Sequence, residues 1–417
     1  MFRKNLQLGE HYAIAFVYWA IAAVVVGLVC GAVGALFAIS VHHATHLRGE
    51  YPWLLYLLPV GGILIALMYR FFKLSLNIGT DAIIKSVRTQ EKVPILMAPA
   101  IFISTFITHL LGGSAGREGA ALQLGGSIAA KIGDFAHPHK SHDDDRRIYE
   151  LCGMAALFSA LFGTPLTAAI FVIEVVNVGE FNYRAMLPCL ISSLTAALTA
   201  KLVGAPEELF PLAAGLADTG ALNLIRAAGL GVLCGIVAFI FCSVMHHSGS
   251  YAKKLIKNDY VRVIVGGAAI IALTLIIGSR DYNGGGGDVI LAALAGEARP
   301  EAFILKILFT AITLSFGFKG GEIVPSFFIG STFGCAAAAI FGLSPALGAG
   351  LGLVSVFCGV TNAPVASILL SIELFGAEYL PLMAIAICVS YMLSGQTSLY
   401  HQQHFIHPKL GAGYDGE

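Results

Sequence analysis

Gly153-Met-Ala-Ala-Leu-Phe-Ser-Ala-Leu-Phe-Gly-Thr-Pro165, continued by Leu166-Thr-Ala-Ala-Ile-Phe-Val-Ile-Glu174, occurs a second time in altered form. Gly352-Leu-Val-Ser-Val-Phe-Cys-Gly-Val-Thr-Asn-Ala-Pro364 and Val365-Ala-Ser-Ile-Leu-Leu-Ser-Ile-Glu373 repeat it without a gap, the Gly, Pro and Glu each 199 residues further on. Just upstream, Gly116-Arg-Glu118 has a counterpart in Gly320-Gly-Glu322. An internal duplication accounts for both pairs. The sequence around them leaves open whether the copies are parallel or inverted.

Apolar sequence surrounds the repeat on every side. Of 417 residues, 57% are hydrophobic and 12% charged, with a mean hydropathy of +0.80; a soluble domain carries roughly a quarter charged residues. That deficit excludes a disordered chain and an ordinary soluble enzyme. Residues 12–41 contain no charge over 30 positions, where a bilayer core needs roughly 20 and the apolar part of a signal peptide has about 7 to 15. Further apolar runs at 53–67, 95–111, 187–202, 227–245, 261–277, 302–316 and 380–393 predict an all-α polytopic membrane protein. Segments 117–135, 150–162, 166–176, 323–341, 347–360 and 365–375 read as partial spans. Backbone broken at membrane depth must be buried in protein or line a polar cavity, and such breaks in corresponding halves point to a transport site.

Other signals are weaker. Lys plus Arg and Asp plus Glu both number 25, so no excess field recruits nucleic acid. The 48 glycines suit helices that approach closely. Eight cysteines stand singly, without CxxC spacing, and read as packing residues with no disulfide or metal site. The polar stretch His137-Pro-His-Lys-Ser-His-Asp-Asp-Asp-Arg-Arg147 reads as a solvated loop, and Gly284-Gly-Gly-Gly287 as a flexible connection. No metalloprotease motif, placed nucleophile or paired catalytic carboxylates occur, so neither an enzyme nor a cofactor is expected.

The chemistry is carried by Gly112-Gly-Ser-Ala-Gly-Arg-Glu-Gly-Ala-Ala-Leu-Gln-Leu-Gly-Gly126. A glycine cluster running into a helix lets the first amides converge on one spot, an anion site built from backbone and macrodipole. Glu118 falls in the first turn, where its carboxylate competes for the same place when ionised and must leave when protonated. Lys319-Gly-Gly-Glu-Ile-Val-Pro325 gives a matching helix start, with the amides of Ile323 and Val324 as donors and Glu322 reading as a structural partner of Lys319. Glu174 and Glu373 end equivalent repeat helices and read as structural.

At these residues the chain resembles the CLC family of chloride channels and proton-coupled halide antiporters, close to its fluoride/proton branch. Gly116-Arg-Glu-Gly119 is similar to the family's Gly-Lys/Arg-Glu-Gly-Pro motif, with Ala120 for the proline. Gly321-Glu-Ile-Val-Pro325 is similar to Gly-x-Phe-x-Pro, and Ser394-Gly-Gln-Thr-Ser-Leu-Tyr400 to the segment ending in the anion-coordinating tyrosine. The resemblance implies two inverted-topology repeats, at about 50–205 and 220–405 of a single membrane domain spanning 1–417, without a cytosolic regulatory domain. It implies Glu118 as the proton-transfer gate and Asn77, Gly116, Arg117, Gly119, Ile323, Val324 and Tyr400 at the anion site. Asn77 takes the place of a serine missing from Leu76-Asn-Ile-Gly-Thr-Asp81, and the internal proton-relay position falls on the non-titratable Val175. A homodimer joined through the helices at Gly163-Thr-Pro165 and Asn362-Ala-Pro364 is implied as well. The expected function is exchange of chloride or fluoride for protons across a prokaryotic inner membrane. The alternative is a passive, voltage-gated-type chloride channel, which Val175 favours.

Overall fold

Backbone inside a bilayer has to bond to itself, and for runs this apolar the α-helix does so within one segment. The structure, a computed structural model, describes residues 2–89, 91–136, 143–206 and 210–409, with only the backbone for 2–11, 143 and 144. Among the described residues the α-helices form two successive sets of eight. The first comprises α1 (Phe2–Glu50), α2 (Leu58–Phe71), α3 (Thr80–Thr89), α4 (Met97–Leu110), α5 (Glu118–Ala136), α6 (Asp143–Phe162), α7 (Pro165–Glu174) and α8 (Tyr183–Val203). The second comprises α9 (Ala221–Leu255), α10 (Asp259–Ile277), α11 (Gly287–Leu294), α12 (Ala302–Ser315), α13 (Ile323–Ala337), α14 (Pro345–Thr361), α15 (Pro364–Phe375) and α16 (Leu380–Leu393). Two short strands, β1 (Asn177–Val178) and β2 (His404–Phe405), pair in parallel. Among the described residues six stretches, the longest Tyr12–Glu50 and Ala221–Leu255, are long and apolar enough to cross a membrane; the remaining helices are shorter or more polar.

The breaks follow from local chemistry. After Phe162 the chain turns at Gly163, φ +68°, and Pro165 opens α7, where a missing amide hydrogen costs nothing. After Thr361 the same turn is made by Asn362, φ +57°, before Pro364 opens α15. Asparagine tolerates the left-handed region. Its side chain is held by the Thr397 carbonyl at 2.9 Å and Gln403 Oε1 at 2.8 Å.

Glycine sets how closely helices meet. Where α5 packs on α6, a Cβ on Gly125 would fall on the Gly153 carbonyl; where α13 packs on α14, one on Gly330 would fall on the Gly352 carbonyl. The two contacts are equivalent by the repeat. Contacts also join equivalent elements directly: α2 packs on α10, and α7 on α15. Gly116 and Gly321 exchange backbone hydrogen bonds of 2.8 and 2.7 Å as an antiparallel bridge. Self-pairing of this kind runs a pseudo-twofold axis through the middle of the molecule, and the antiparallel sense accords with inverted repeats.

Glu174 and Glu373 are reciprocal caps across that axis. Glu373 accepts from the Leu166 and Thr167 amides at 2.9 and 2.8 Å, and Glu174 from Val365 and Ala366 at 3.1 and 2.7 Å. Each carboxylate thus satisfies the orphan donors of the other half's broken helix.

Several expectations need correction. The polar stretch before α6 is not all loop: residues 143–147 form the first turns of the helix, with Arg184 on Asp145 at 3.0 Å and Arg146 on Glu150 at 3.1 Å. Its histidines, 137, 139 and 142, lie outside the described residues. Nor is the Gly284 run a flexible tether. Gly284 and Gly286 adopt φ of +63° and +82°, the Gly284 amide bonds the Gly113 carbonyl at 3.0 Å, and its own carbonyl receives Lys306 Nζ at 2.6 Å. The turn launches α11, as residues 76–79 launch α3.

Removing one reciprocal cap should uncouple the two halves where they meet. Glu373→Ala is expected to cost about 1 to 2 kcal/mol and to lower the thermal midpoint of the purified protein. Glu373→Gln, which keeps an acceptor oxygen, should lose less, as scanning fluorimetry in detergent would show.

Candidate anion site at the crossing of two helix N-termini

The segments leading into α5 and α13 meet at the Gly116–Gly321 bridge, and two further reciprocal bonds fix them. Ser114 N donates to Thr313 Oγ1 at 3.0 Å, and Lys319 N to Thr108 Oγ1 at 3.3 Å. Both threonines are fully buried, near the ends of α12 and α4. Room for the crossing requires glycine. A Cβ on Gly321 would fall on the Gly119 amide nitrogen, and one on Gly116 on the Glu118 carboxylate.

Glu118 is completely buried. Its Oε2 accepts from Arg117 N at 2.9 Å and from Val324 N at 3.3 Å, so one carboxylate oxygen receives donors from the starts of both helices. The positive ends of two macrodipoles converge there, and water-excluded surroundings strengthen every such interaction. Another small anion could take the same donors only if the carboxylate left.

Two cavities approach this point without sharing a lining residue. One, which we call outer because Glu118 faces it, is about 590 Å³ and is lined by Gly116, Arg117, Glu118, Val324, Arg48 and Arg280 among others. The inner one, about 180 Å³, is lined by Asn77, Thr80, Gln123, Lys319, Glu322 and Tyr400 among others. The crossing and the Glu118 side chain separate them.

The residues expected at the site are distributed as follows. Glu118, Gly116, Gly119, Ile323 and Val324 converge on the crossing, although the Gly116 amide is spent on Gly321. Arg117 contributes its backbone amide, while its buried guanidinium reaches toward the Ala38 and Leu161 carbonyls at 3.5 Å. Tyr400 is buried on the inner side with its hydroxyl unpartnered. Asn77 is exposed at the rim of the inner cavity. Thr80, at the start of α3, lies deeper, giving a 3.3 Å hydrogen bond to the Gly119 carbonyl and receiving one from Gln123 Nε2 at 3.3 Å. Val175 is wholly buried and lines neither cavity; its carbonyl receives Gln403 Nε2 at 3.0 Å.

The expected pairing of Lys319 with Glu322 does not form. The ammonium donates instead to the Leu76 and Ile78 carbonyls at 2.6 and 2.8 Å and lies over the Tyr69 ring at 4.8 Å. Glu322 Oε2 is buried without a partner and faces the inner cavity. Carbonyls win because the loop before α3 folds over the lysine and offers two acceptors at once. Thr80, Gln123 and Asp81, which accepts from the Gln402 amide at 3.0 Å, were missed by the sequence reading. Thr80-Asp81 does carry a helix-start signal, a hydroxyl and an acid in the first turn of α3.

Comparison with known proteins agrees with this architecture. The family model described as voltage gated chloride channel matches residues 61–395. A chloride/fluoride channel protein of Pseudomonas syringae pv. tomato is 34% identical over 415 residues, covering 98% of this chain and 90% of that protein. An H(+)/Cl(-) exchange transporter of Vibrio campbellii is 26% identical, covering 90% and 86%. Among solved structures, a CLC-type fluoride/proton antiporter superposes with a TM-score of 0.88 at 30% identity, covering 94% of this chain and 98% of that one. With the family model covering most of its length and a relative at this identity along nearly all of it, the chain belongs to the voltage-gated chloride channel (CLC) family of multi-pass membrane proteins.

Proposed function

We propose that this protein is a secondary-active antiporter that moves a halide, chloride or fluoride, across a prokaryotic inner membrane in exchange for protons. The observation that carries the reading is the Glu118 carboxylate on the amides of Arg117 and Val324, between two cavities. Ionised, it fills the donors an anion needs and blocks the passage. Protonated, it loses most of its attraction to two positive helix ends, withdraws, and yields the place to a halide. Loss of the proton brings it back and expels the anion. Proton and anion therefore alternate on one set of donors, which is the physical basis of coupling.

Tyr400 offers its unpartnered hydroxyl to an anion on the inner side, whereas the Thr80 proton is given to the Gly119 carbonyl. The buried apolar side chains of Ile323 and Val324 present it with main-chain amides alone, so the ion is held by backbone and hydroxyl donors. The names of a relative and of a solved structure, a chloride/fluoride channel protein and a CLC-type fluoride/proton antiporter, keep fluoride beside chloride as substrate. A homodimer through α7 and α15 is part of the same reading. Leu166 and Val365, equivalent by the repeat and adjoining the two breaks, are 44% and 50% exposed on adjacent helices and supply a matched apolar face. The second reading, a passive anion channel, draws on the closed, non-titratable Val175.

Reconstituted protein should move protons uphill when a halide gradient drives it, recorded with halide and pH electrodes together. A reversal potential that follows the anion alone would select the channel. Glu118→Gln is expected to abolish proton movement while leaving halide flux, because the amide mimics the protonated gate; continued uphill proton pumping by this variant would overturn the gate assignment. Gly321→Ala should reduce halide flux at least tenfold in a protein that still folds, since its Cβ is forced onto the Gly119 amide; a wild-type flux would show that the crossing is not the pathway.

A further inference from the structure

The coupled reading needs protons to reach the crossing from the inner side, and Val175 offers no route. The inner cavity does. Four buried polar atoms without a protein partner belong to residues that line it: Tyr400 Oη, Glu322 Oε2, Gln123 Oε1 and His246 Nε2. Orphaned polar atoms are rare in folded proteins, and where they gather about one cavity they are met by solvent or by what passes through.

At the mouth of this cavity His246 of α9 stacks on His401, which directly follows Tyr400. Their ring centroids are 3.8 Å apart with planes inclined by 21°. His401 is exposed and His246 half-buried, so the pair spans from solvent to the chamber wall. Asp81 of α3, Lys253 of α9, and Lys319 and Glu322 ahead of α13 are the charged groups facing the same space. Asp81 also holds the Gln402 amide at 3.0 Å, which ties the backbone after His401 to the start of α3.

We propose that His246 and His401 form the inner proton port of the transporter. The assignment rests on the proton-coupled reading above. His401 takes a proton from the inner solution, and His246, whose second ring nitrogen is unsatisfied, delivers it into the chamber, where the Glu322 carboxylate accepts it on the way to Glu118. The stacked rings do not hydrogen-bond each other, so water at their edges carries the proton from one to the next; each transfer breaks one N–H or O–H bond and forms another, with no change of oxidation state. Face-to-face stacking also disfavours two imidazolium ions at once, so the port carries one proton at a time. Histidine suits the task because either ring nitrogen can carry the proton, so one can receive it while the other releases it.

The test uses the full chain in proteoliposomes, with halide and proton fluxes recorded across a range of inner pH. The His246→Asn/His401→Asn variant should exchange halide for protons about tenfold or more slowly than the wild type, with a flattened dependence on inner pH. Imidazole buffer should restore the rate, because a diffusible base replaces the missing one. An unchanged rate and pH profile overturns the port. So does a loss that imidazole fails to restore in a protein that elutes as the wild type does, since that outcome assigns the stack a packing role. Should the double variant misassemble, His401→Gln alone, altered at an exposed ring, is read by the same two measurements. Failure of the wild type to move protons at all would sink the antiport reading itself, and is thereby distinguished from failure of the port.

Discussion

Everything at the centre of this molecule depends on four hydrogen bonds that cross its pseudo-twofold axis. Gly116 and Gly321 bond each other's backbone, Ser114 bonds Thr313, and Lys319 bonds Thr108. At membrane depth a chain that leaves one helix and starts another exposes donors and acceptors that lipid cannot satisfy. Here each half satisfies the other. The consequence is geometric: two helix N-termini are pinned toward one point, and the glycines that permit the approach leave no side chain to fill it. Glu118 occupies that set of donors.

Much of this was legible in the sequence, and the reasons differ by element. The repeat at Gly153 and Gly352 could be read because Gly, Pro and Glu mark backbone events: a close helix contact, a helix start and a cap on the partner helix. Even the substitution of Asn362 for Gly163 preserves the turn, since both residues accept positive φ. The α5 start was legible for the same reason. The short helices α3 and α11 were not, because ten and eight residues give too little periodicity to separate from loop. Glycines 284–287 read as slack by composition, yet long-range bonds to Gly113 and Lys306 fix them. Such contacts join residues far apart in the chain and leave no local signature.

The partners of Lys319 show the same limit in the electrostatics. Proximity in sequence favoured Glu322, three residues away. In the fold, a loop from the other half supplies carbonyls instead, and the acid is left facing the inner cavity. The difference matters for function. A lysine bonded to carbonyls has no carboxylate beside it, whereas one in an ion pair presents a dipole. Lys306, held by the Tyr282 and Gly284 carbonyls, is satisfied in the same manner in the second half.

That pattern resolves an apparent contradiction in the composition. A chain with equal numbers of acids and bases and few of either has no net field with which to draw an anion. Yet its buried lysines are bonded to neutral acceptors, and its helix starts aim positive dipole ends at the crossing. Balance over the whole chain therefore coexists with local positive potential at the crossing, which low-dielectric surroundings preserve. A fixed cation at the crossing would hold a small anion too tightly to release it. Under the proposed function, backbone dipoles at the centre and lysines set back behind their carbonyls keep the attraction moderate, so that a single carboxylate competes with a halide for the same donors.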